Sequence, residues 1–255
     1  MDILTCVKRV PNTGERIVLT DDQRGVDDLG LGFTVSPHEE CAVEEAIQQI
    51  EEHGGTATVL TLGPDDATEQ LITAIARGAD EPVLLEADDT DPGPSAVATE
   101  IAAFVEDHGD GEVGFDLLLF GNESADAANY QVGVRVAQAL DIPVVTGVKD
   151  LEVDGDVATA KREVSGGWEV FEVDLPAVVT VKEGINHPRY ASMRGRMQAQ
   201  RTPVEAVAVE PDEDDRFELV RLEVPEAEAA EAEILGEGPT AAAAVVDVLE
   251  ELEVI

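Results

Sequence analysis

The chain has 255 residues, enough for one large α/β domain or one domain plus an appendage, with a sizeable core. Its 56 acidic residues against 16 basic ones give a formal net charge of −40, which excludes the basic footprint of a nucleic-acid-binding protein. Periodic apolar segments argue against disorder, so the charge reads as a solvated acidic coat suited to high salt, as expected of a halophilic host.

No run approaches the roughly 18 apolar residues of a membrane helix, and the N-terminus lacks a signal-peptide pattern. Cys6 and Cys41 form neither a disulfide framework nor a metal motif. The expectation is a cytoplasmic protein without membrane insertion.

Residues 3–7 read as a first buried strand. Pro11 and Gly14 mark a loop, and residues 16–19 suggest one arm of a small hairpin. Ser36-Pro37-His38-Glu39-Glu40 is a helix start: Ser36 caps, Pro37 suits the first position, and acids occupy the first turn. Ala42, Val43, Ala46, Ile47 and Ile50 carry that helix to Gly54-Gly55. A second strand over 56–62 ends at Gly63-Pro64. Asp65 or Asp66 is expected to cap the next helix, which turns Leu71, Ile72 and Ile75 inward and stops at Gly78. A third strand covers 82–85, and a helix over 95–108 buries Val97, Ile101, Ala102 and Val105.

The chain is organised around residues 116–140. A buried strand over 116–120 ends at Gly121, a polar loop runs to Tyr130, and a helix opens at Gln131. Gly121 permits a sharp turn and close approach of a ligand. The amides of Gln131, Val132 and Gly133 lack helical partners and sit at the positive helix end. Together they form a candidate phosphate site at a sheet's carboxyl edge. The plain alternative is an ordinary strand-to-helix connection.

A strand over 143–148 follows. Strands alternating with helices predict a doubly wound α/β/α architecture with a mainly parallel sheet. After residue 150 the texture changes. Residues 151–164 and 168–173 read as antiparallel strands turning at Asp154-Gly155 and Gly166-Gly167, with Trp168 as a packing residue. A strand over 177–181, a short helix over 193–200 and a strand over 204–209 complete residues 1–210. Residues 211–255 form an acidic C-terminal arm, with a linker over 211–216, a weak strand over 217–220, an Ala/Glu-rich stretch over 226–237 and a terminal helix. The arm has too little apolar surface to fold alone and is expected to pack on this domain or a partner.

From Gly184 to Val204 there is no acid, yet Arg189, Arg194, Arg196 and Arg201 lie there. This island reads as a surface kept for a partner or anionic ligand. The alternative is a loop whose arginines pair with acids elsewhere. No nucleophile–base set, Walker loop or G-x-G-x-x-G follows the first strand, so nothing argues for autonomous catalysis. Cys6 reads as packing. His38 either lines a ligand edge or is simply solvated.

Several segments, in order, resemble the β subunit of electron transfer flavoproteins. They are Val7-Lys8-Arg9-Val10-Pro11, Ser36-Pro37-His38-Glu39 with the helix behind it, and Gly121 through Gln131-Val132-Gly133. Arg162 through Glu169, with Leu175-Pro176-Ala177-Val178-Val179-Thr180, and Asn186-His187-Pro188-Arg189-Tyr190 are the more specific ones. Ser165, where the family signature has an acid, and Phe171, where it has an aliphatic residue, depart from the pattern. The resemblance implies an adenine nucleotide alpha hydrolase-like fold with a β-hairpin excursion, and a heterodimer whose α subunit carries the redox-active FAD. It implies AMP in a structural role in this subunit, contacting Cys6, Ser36, Pro37, His38, Glu39, Leu62, Gly121, Asn122, Glu123, Ser124, Ala125, Asp126, Asn129, Tyr130, Gln131 and Val132. The island maps onto the family's docking loop for acyl-CoA dehydrogenases. Arg189, Tyr190, Met193, Arg194, Arg196 and Met197 are its members, and Met193 stands at the apolar anchor. Electrons would pass onward to a membrane quinone reductase (ETF-quinone oxidoreductase). In flavin-bifurcating relatives the β site holds a second FAD and takes hydride from NADH. The loop 122–126 departs from the usual Gln-Ala-Ile-Asp pattern of both types and does not decide between them. A universal-stress-type nucleotide module is the remaining class, but it should stop near residue 148.

Overall fold

Short apolar strands separated by amphipathic helices favour a parallel sheet, because each helix must cross a face before the next strand begins. The computed structural model describes residues 1–12, 14, 17–88, 92–212, 219–225 and 234–254. In chain order it contains β1 (Asp2–Cys6), β2 (Val10–Pro11), β3 (Phe33–Thr34), α1 (Pro37–His53), β4 (Thr56–Gly63), α2 (Thr68–Arg77), β5 (Glu81–Glu86), α3 (Pro94–His108), β6 (Leu117–Gly121) and α4 (Val132–Ala139). Then come β7 (Val144–Asp154), β8 (Val157–Val164), β9 (Gly167–Asp174), β10 (Ala177–Val181), α5 (Met193–Ala199), β11 (Glu205–Ala208) and α6 (Ala242–Glu251).

Among the described residues nine strands form one sheet, ordered β11-β5-β4-β1-β6-β10-β7-β8-β9. Pairing is parallel from β11 through β7 and antiparallel for β8 and β9. Side chains alternate across it. Ile3 and Val7 join Val43, Ile47, Leu71 and Ile75 of α1 and α2 on one face. Leu4, Leu60 and Leu118 join Ile101, Val105 and Val136 of α3 and α4 on the other. The result is the three-layer α/β/α fold expected from the sequence.

Several local expectations are revised. The strand expected over 143–148 continues to Asp154, so the change of texture falls inside a single strand. Gly147 has φ +71, and a register irregularity separates Val148 from Asp150, which bends β7 between its two partners. β10 inserts between β6 and β7. Neither Asp65 nor Asp66 caps α2; both lie in a 3-10 turn, Asp65–Ala67, that leads into it. Trp168 is not packed: it is 55% exposed, while Phe171 and Val173 face the core. The expected arm over 16–19 begins at Arg16, outside the described residues; in its described part the Val18 carbonyl accepts from the Asp27 amide at 2.8 Å, the pairing with a later segment that a small hairpin requires. The loop is also closed by β2 pairing with β3.

Contacts divide the chain into two units: Met1–Val18 with Val26–Leu219, and Leu19–Gly25 with Val220–Ile255. In the second, the Leu222 amide donates to the Gln23 carbonyl at 2.7 Å, and α6 has no buried residue. Residues 213–218 and 226–233, which hold most of the expected linker and Ala/Glu-rich stretch and the start of the weak strand, lie outside the described residues. No helix among the described residues is long and apolar enough to cross a membrane.

The excess of 56 acids over 16 bases makes self-repulsion a global destabilising force. The thermal midpoint of the full chain should rise as NaCl goes from about 0.1 to about 1 M, where the screening length contracts from about 10 to about 3 Å. A midpoint that stays flat or falls in differential scanning calorimetry would contradict this.

Candidate functional site

Strand order reverses at β1, since β4 and β5 lie to one side of it and β6 to the other. In open α/β sheets this crevice, at the carboxyl ends of the strands, is where ligands bind. A cleft of about 900 Å³, counting the space open at its mouth, lies there. Cys6, Leu60, Leu62, Phe120, Gly121 and Thr180 come from the strands, and Asn122–Ser124 with Asn129–Gly133 from the loop and first turn after β6. Pro92, before α3, and Pro94, Val97 and Ile101 in its first half make an apolar wall.

Two glycines make the geometry fit. A Cβ on Gly121 would lie 2.6 Å from Glu39 Cγ and 2.9 Å from the Glu39 amide nitrogen, so the end of β6 presses directly on the first turn of α1. A Cβ on Gly133 would meet Thr180 Cγ2 at 3.0 Å and Phe120 at 3.1 Å, so α4 begins hard against the sheet. Gln131 flanks that helix, and the amides of Val132 and Gly133 belong to its first turn.

The loop after β6 is pinned from several sides. The Asn122 amide donates to the Val181 carbonyl at 2.9 Å, and its Oδ1 accepts from Thr180 Oγ1 at 2.9 Å. Buried Ser36 accepts from the Ala125 amide at 3.0 Å, and Lys8 Nζ lies 2.8 Å from the Asp126 carboxylate. His38 Nδ1 accepts from the Glu183 amide at 3.0 Å, which leaves its proton on Nε2, 3.2 Å from Glu123. Ala128 (φ 47) and Tyr130 (φ 58) adopt the left-handed region, a conformation costing about 1 kcal/mol or more each for non-glycine residues.

The residues expected at this site therefore fall into groups. Cys6, Glu39, Leu62, Gly121, Asn122, Glu123, Ser124, Asn129, Tyr130, Gln131 and Val132 line the cleft. Ser36, His38, Ala125 and Asp126 hold the loop in place through the bonds just described. Pro37 is exposed at the start of α1. The sequence reading missed Lys8, Thr180 and the apolar wall. Val97 and Ile101 carried only a core-facing helical signal, and the signal for Lys8 was its place just past the end of β1.

Burial raises the Glu39 carboxyl to about 8, even though the Lys8 and Ser36 amides, each donating at 3.1 Å to a different oxygen, favour the anion. The bond to Ser36 is the reach-back of a capping box. Burial likewise pushes the Cys6 thiol up, so it is no nucleophile.

The island divides in two. Arg189 is committed to α1: its guanidinium meets Glu44 at 2.9 and 3.0 Å and Glu51 at 2.6 and 2.9 Å, and its amide donates to Glu44. Asn186 Nδ2 adds bonds to Glu45 and the Cys41 carbonyl. Arg189 therefore anchors the loop and does not present a free charge. Arg194, Arg196 and Arg201 are exposed and make no ion pair among the described residues. Tyr190 is 97%, Met193 75% and Met197 56% exposed. Gly195 seats α5 on α2, since a Cβ there would lie 2.2 Å from the Ala76 carbonyl oxygen.

Fold and cleft together define a doubly wound α/β protein with a crevice at its switch point. Residues 25–212 match the family model for the electron transfer flavoprotein domain. The chain is 36% identical over 220 residues to the electron transfer flavoprotein subunit beta of Bacillus subtilis, covering 84% of this chain and 83% of that one. It is 34% identical over 232 residues to the subunit of the same name from Syntrophomonas wolfei, covering 90% and 88%. It is 36% identical over 208 residues to the caffeyl-CoA reductase-Etf complex subunit CarD of Acetobacterium woodii, covering 80% and 77%. The chain belongs to the electron transfer flavoprotein β-subunit family.

Gly121→Ala should destabilise the protein by about 1–3 kcal/mol, since the new methyl meets backbone and Glu39. Gly167→Ala, which has nothing within 4 Å, serves as the neutral control in the same denaturant titration. Arg189→Ala should cost about 1–3 kcal/mol by leaving buried Glu44 unpaired, a figure kept low because the arginine is about one-third exposed. Burial alone would raise the Glu44 carboxyl, but bonds from Arg189 and Gln48 outweigh it and leave it lowered. Its stabilising contribution is present above the ordinary carboxylate range and is lost as pH falls through the lowered value. Arg189→Ala should therefore flatten the acid limb of the stability–pH curve; an unchanged limb would contradict the role given to this pair.

Proposed function

We propose that the chain is the β subunit of a cytoplasmic electron transfer flavoprotein heterodimer, holding AMP as a structural nucleotide in the cleft. The observation that carries this reading is the form of the cleft. Leu60, Leu62, Val97 and Ile101 give a flat purine an apolar bed, and the first turn of α4 gives a phosphate unpartnered amides. The redox-active FAD is held mainly by the α subunit, on which the arm over 211–255 packs. The FAD supplies the electron chemistry, and this chain shapes the complex and offers the docking surface.

That surface is α5 and its flanks. Met193 and Met197 are flexible apolar contacts, and Arg194, Arg196 and Arg201 surround them with positive charge in an otherwise acidic protein. Acyl-CoA-type dehydrogenases dock there, and electrons pass on to ETF-quinone oxidoreductase. Positive charge on this patch steers an acidic partner without involving the rest of the surface.

A second reading keeps the same cleft and changes its occupant. It is a second FAD that takes hydride from NADH, as in bifurcating relatives. Nucleotides released by denaturing the co-purified αβ complex separate the two. The first reading predicts one FAD and one AMP per heterodimer; two FAD and no AMP would replace it with the second. Met193→Ala should raise the KM for the dehydrogenase in the coupled electron-transfer assay by about tenfold, the loss of one anchor contact, with kcat little changed. An unchanged KM would remove Met193 from the docking surface.

A further inference from the structure

Glu39 places a buried carboxylate in the cleft lining. It is 7% exposed, and its stem fills the space beside Gly121. Among the described lining residues the charged ones are Lys8, Glu39 and Glu123, and Lys8 is paired with Asp126 outside the lining. An anion entering the cleft thus meets two carboxylates and a cation that already has a partner. Like charges repel more strongly in a cleft walled by protein than in bulk water. The carboxylate can relieve the repulsion by taking a proton from solvent.

We propose that Glu39 links ligand affinity to protons: an anionic ligand is bound with Glu39 neutral, and the proton is released to solvent when the ligand leaves. The inference rests on the nucleotide reading of the cleft and adds its regulation by pH. Burial already holds this carboxyl at about 8, so a nearby phosphate needs to move it only a little further. The surrounding ionisable groups are Cys6 and Lys8 at the β1 end, and Glu123, Asp126 and Tyr130 from the loop after β6. On its own helix are His38, engaged by Glu123 and the Glu183 amide, and Glu40, turned to Arg77. Cys6 is pushed upward and stays a thiol. The sign follows from linkage. A carboxyl whose pKa rises on binding makes affinity fall as pH climbs from the free value to the bound one, by at most about tenfold per unit.

The test is calorimetric titration of the full-length chain, in its αβ complex and freed of nucleotide, with AMP from about pH 7 to about 9.5. The AMP phosphate, with its second pKa at about 6, remains a dianion across this range. The expected result is a Kd that rises above about pH 8 towards tenfold per unit. Paired buffers of different ionisation heat should report proton uptake approaching one. Glu39→Gln can keep the reach-back to Ser36 at the cost of the bond from the Lys8 amide, and should bind AMP with a flat profile, tighter than wild type at the alkaline end. Binding by the wild type without slope or proton uptake overturns the inference alone, as does a slope that persists in Glu39→Gln. Failure of the wild type to bind AMP at any pH overturns the nucleotide reading and the inference with it. The proton count on the wild type does not depend on any variant folding.

Discussion

The contact between Gly121 and Glu39 is the constraint on which the rest of the site depends. It joins three chain segments at one point: the end of β6, the first turn of α1, and the exit of β1, whose Lys8 amide donates to the same carboxylate. Only a residue without a side chain lets β6 come that close. With the two walls fixed, the loop after β6 is forced across the carboxyl edge of the sheet, where Ser36, Lys8 and Thr180 hold it down. The cleft results from this arrangement of backbone and buried polar groups, which explains how it is shaped without a concentration of positive charge.

Acids in this protein serve two purposes. Most of the 56 form a solvated coat, but a few are structural. Glu39 closes the cleft wall, and Glu44 and Glu45 on α1 are buried and hold Arg189 and Asn186 of the island. The island is thus tied to the same helix that walls the cleft. A buried carboxylate with a fully engaged partner fixes geometry more than it adds net stability. This suits the role proposed for the loop, the presentation of Met193 and Met197 to a partner.

Much of this was legible in the sequence because it is written in local, periodic signals. The apolar runs and their glycine stops placed the strands, and Ser36-Pro37 with Glu39 placed the start of α1 within a residue. The parts that were not legible depend on pairing across long distances. Nothing local shows that β10 inserts between β6 and β7, or that β7 bends to serve two partners. The aspartates after Pro64 carry the same signal as true caps, and only the backbone shows that a 3-10 turn intervenes. Trp168 looked like a packing residue because it is large and apolar, but strand alternation turns Phe171 inward in its place. The arginine island mixed two functions that composition cannot separate, since Arg189 finds its acids about 140 residues away in sequence.

The central claim is that the cleft at the ends of β1, β4 and β6 is where the nucleotide sits. Hydrogen–deuterium exchange of the nucleotide-free αβ complex, with and without added AMP, tests it most directly. The account predicts new protection concentrated at residues 121–133, with a smaller effect at residues 36–39 and none at α5. Protection confined to other segments, or no change at 121–133 under saturating AMP, would contradict it.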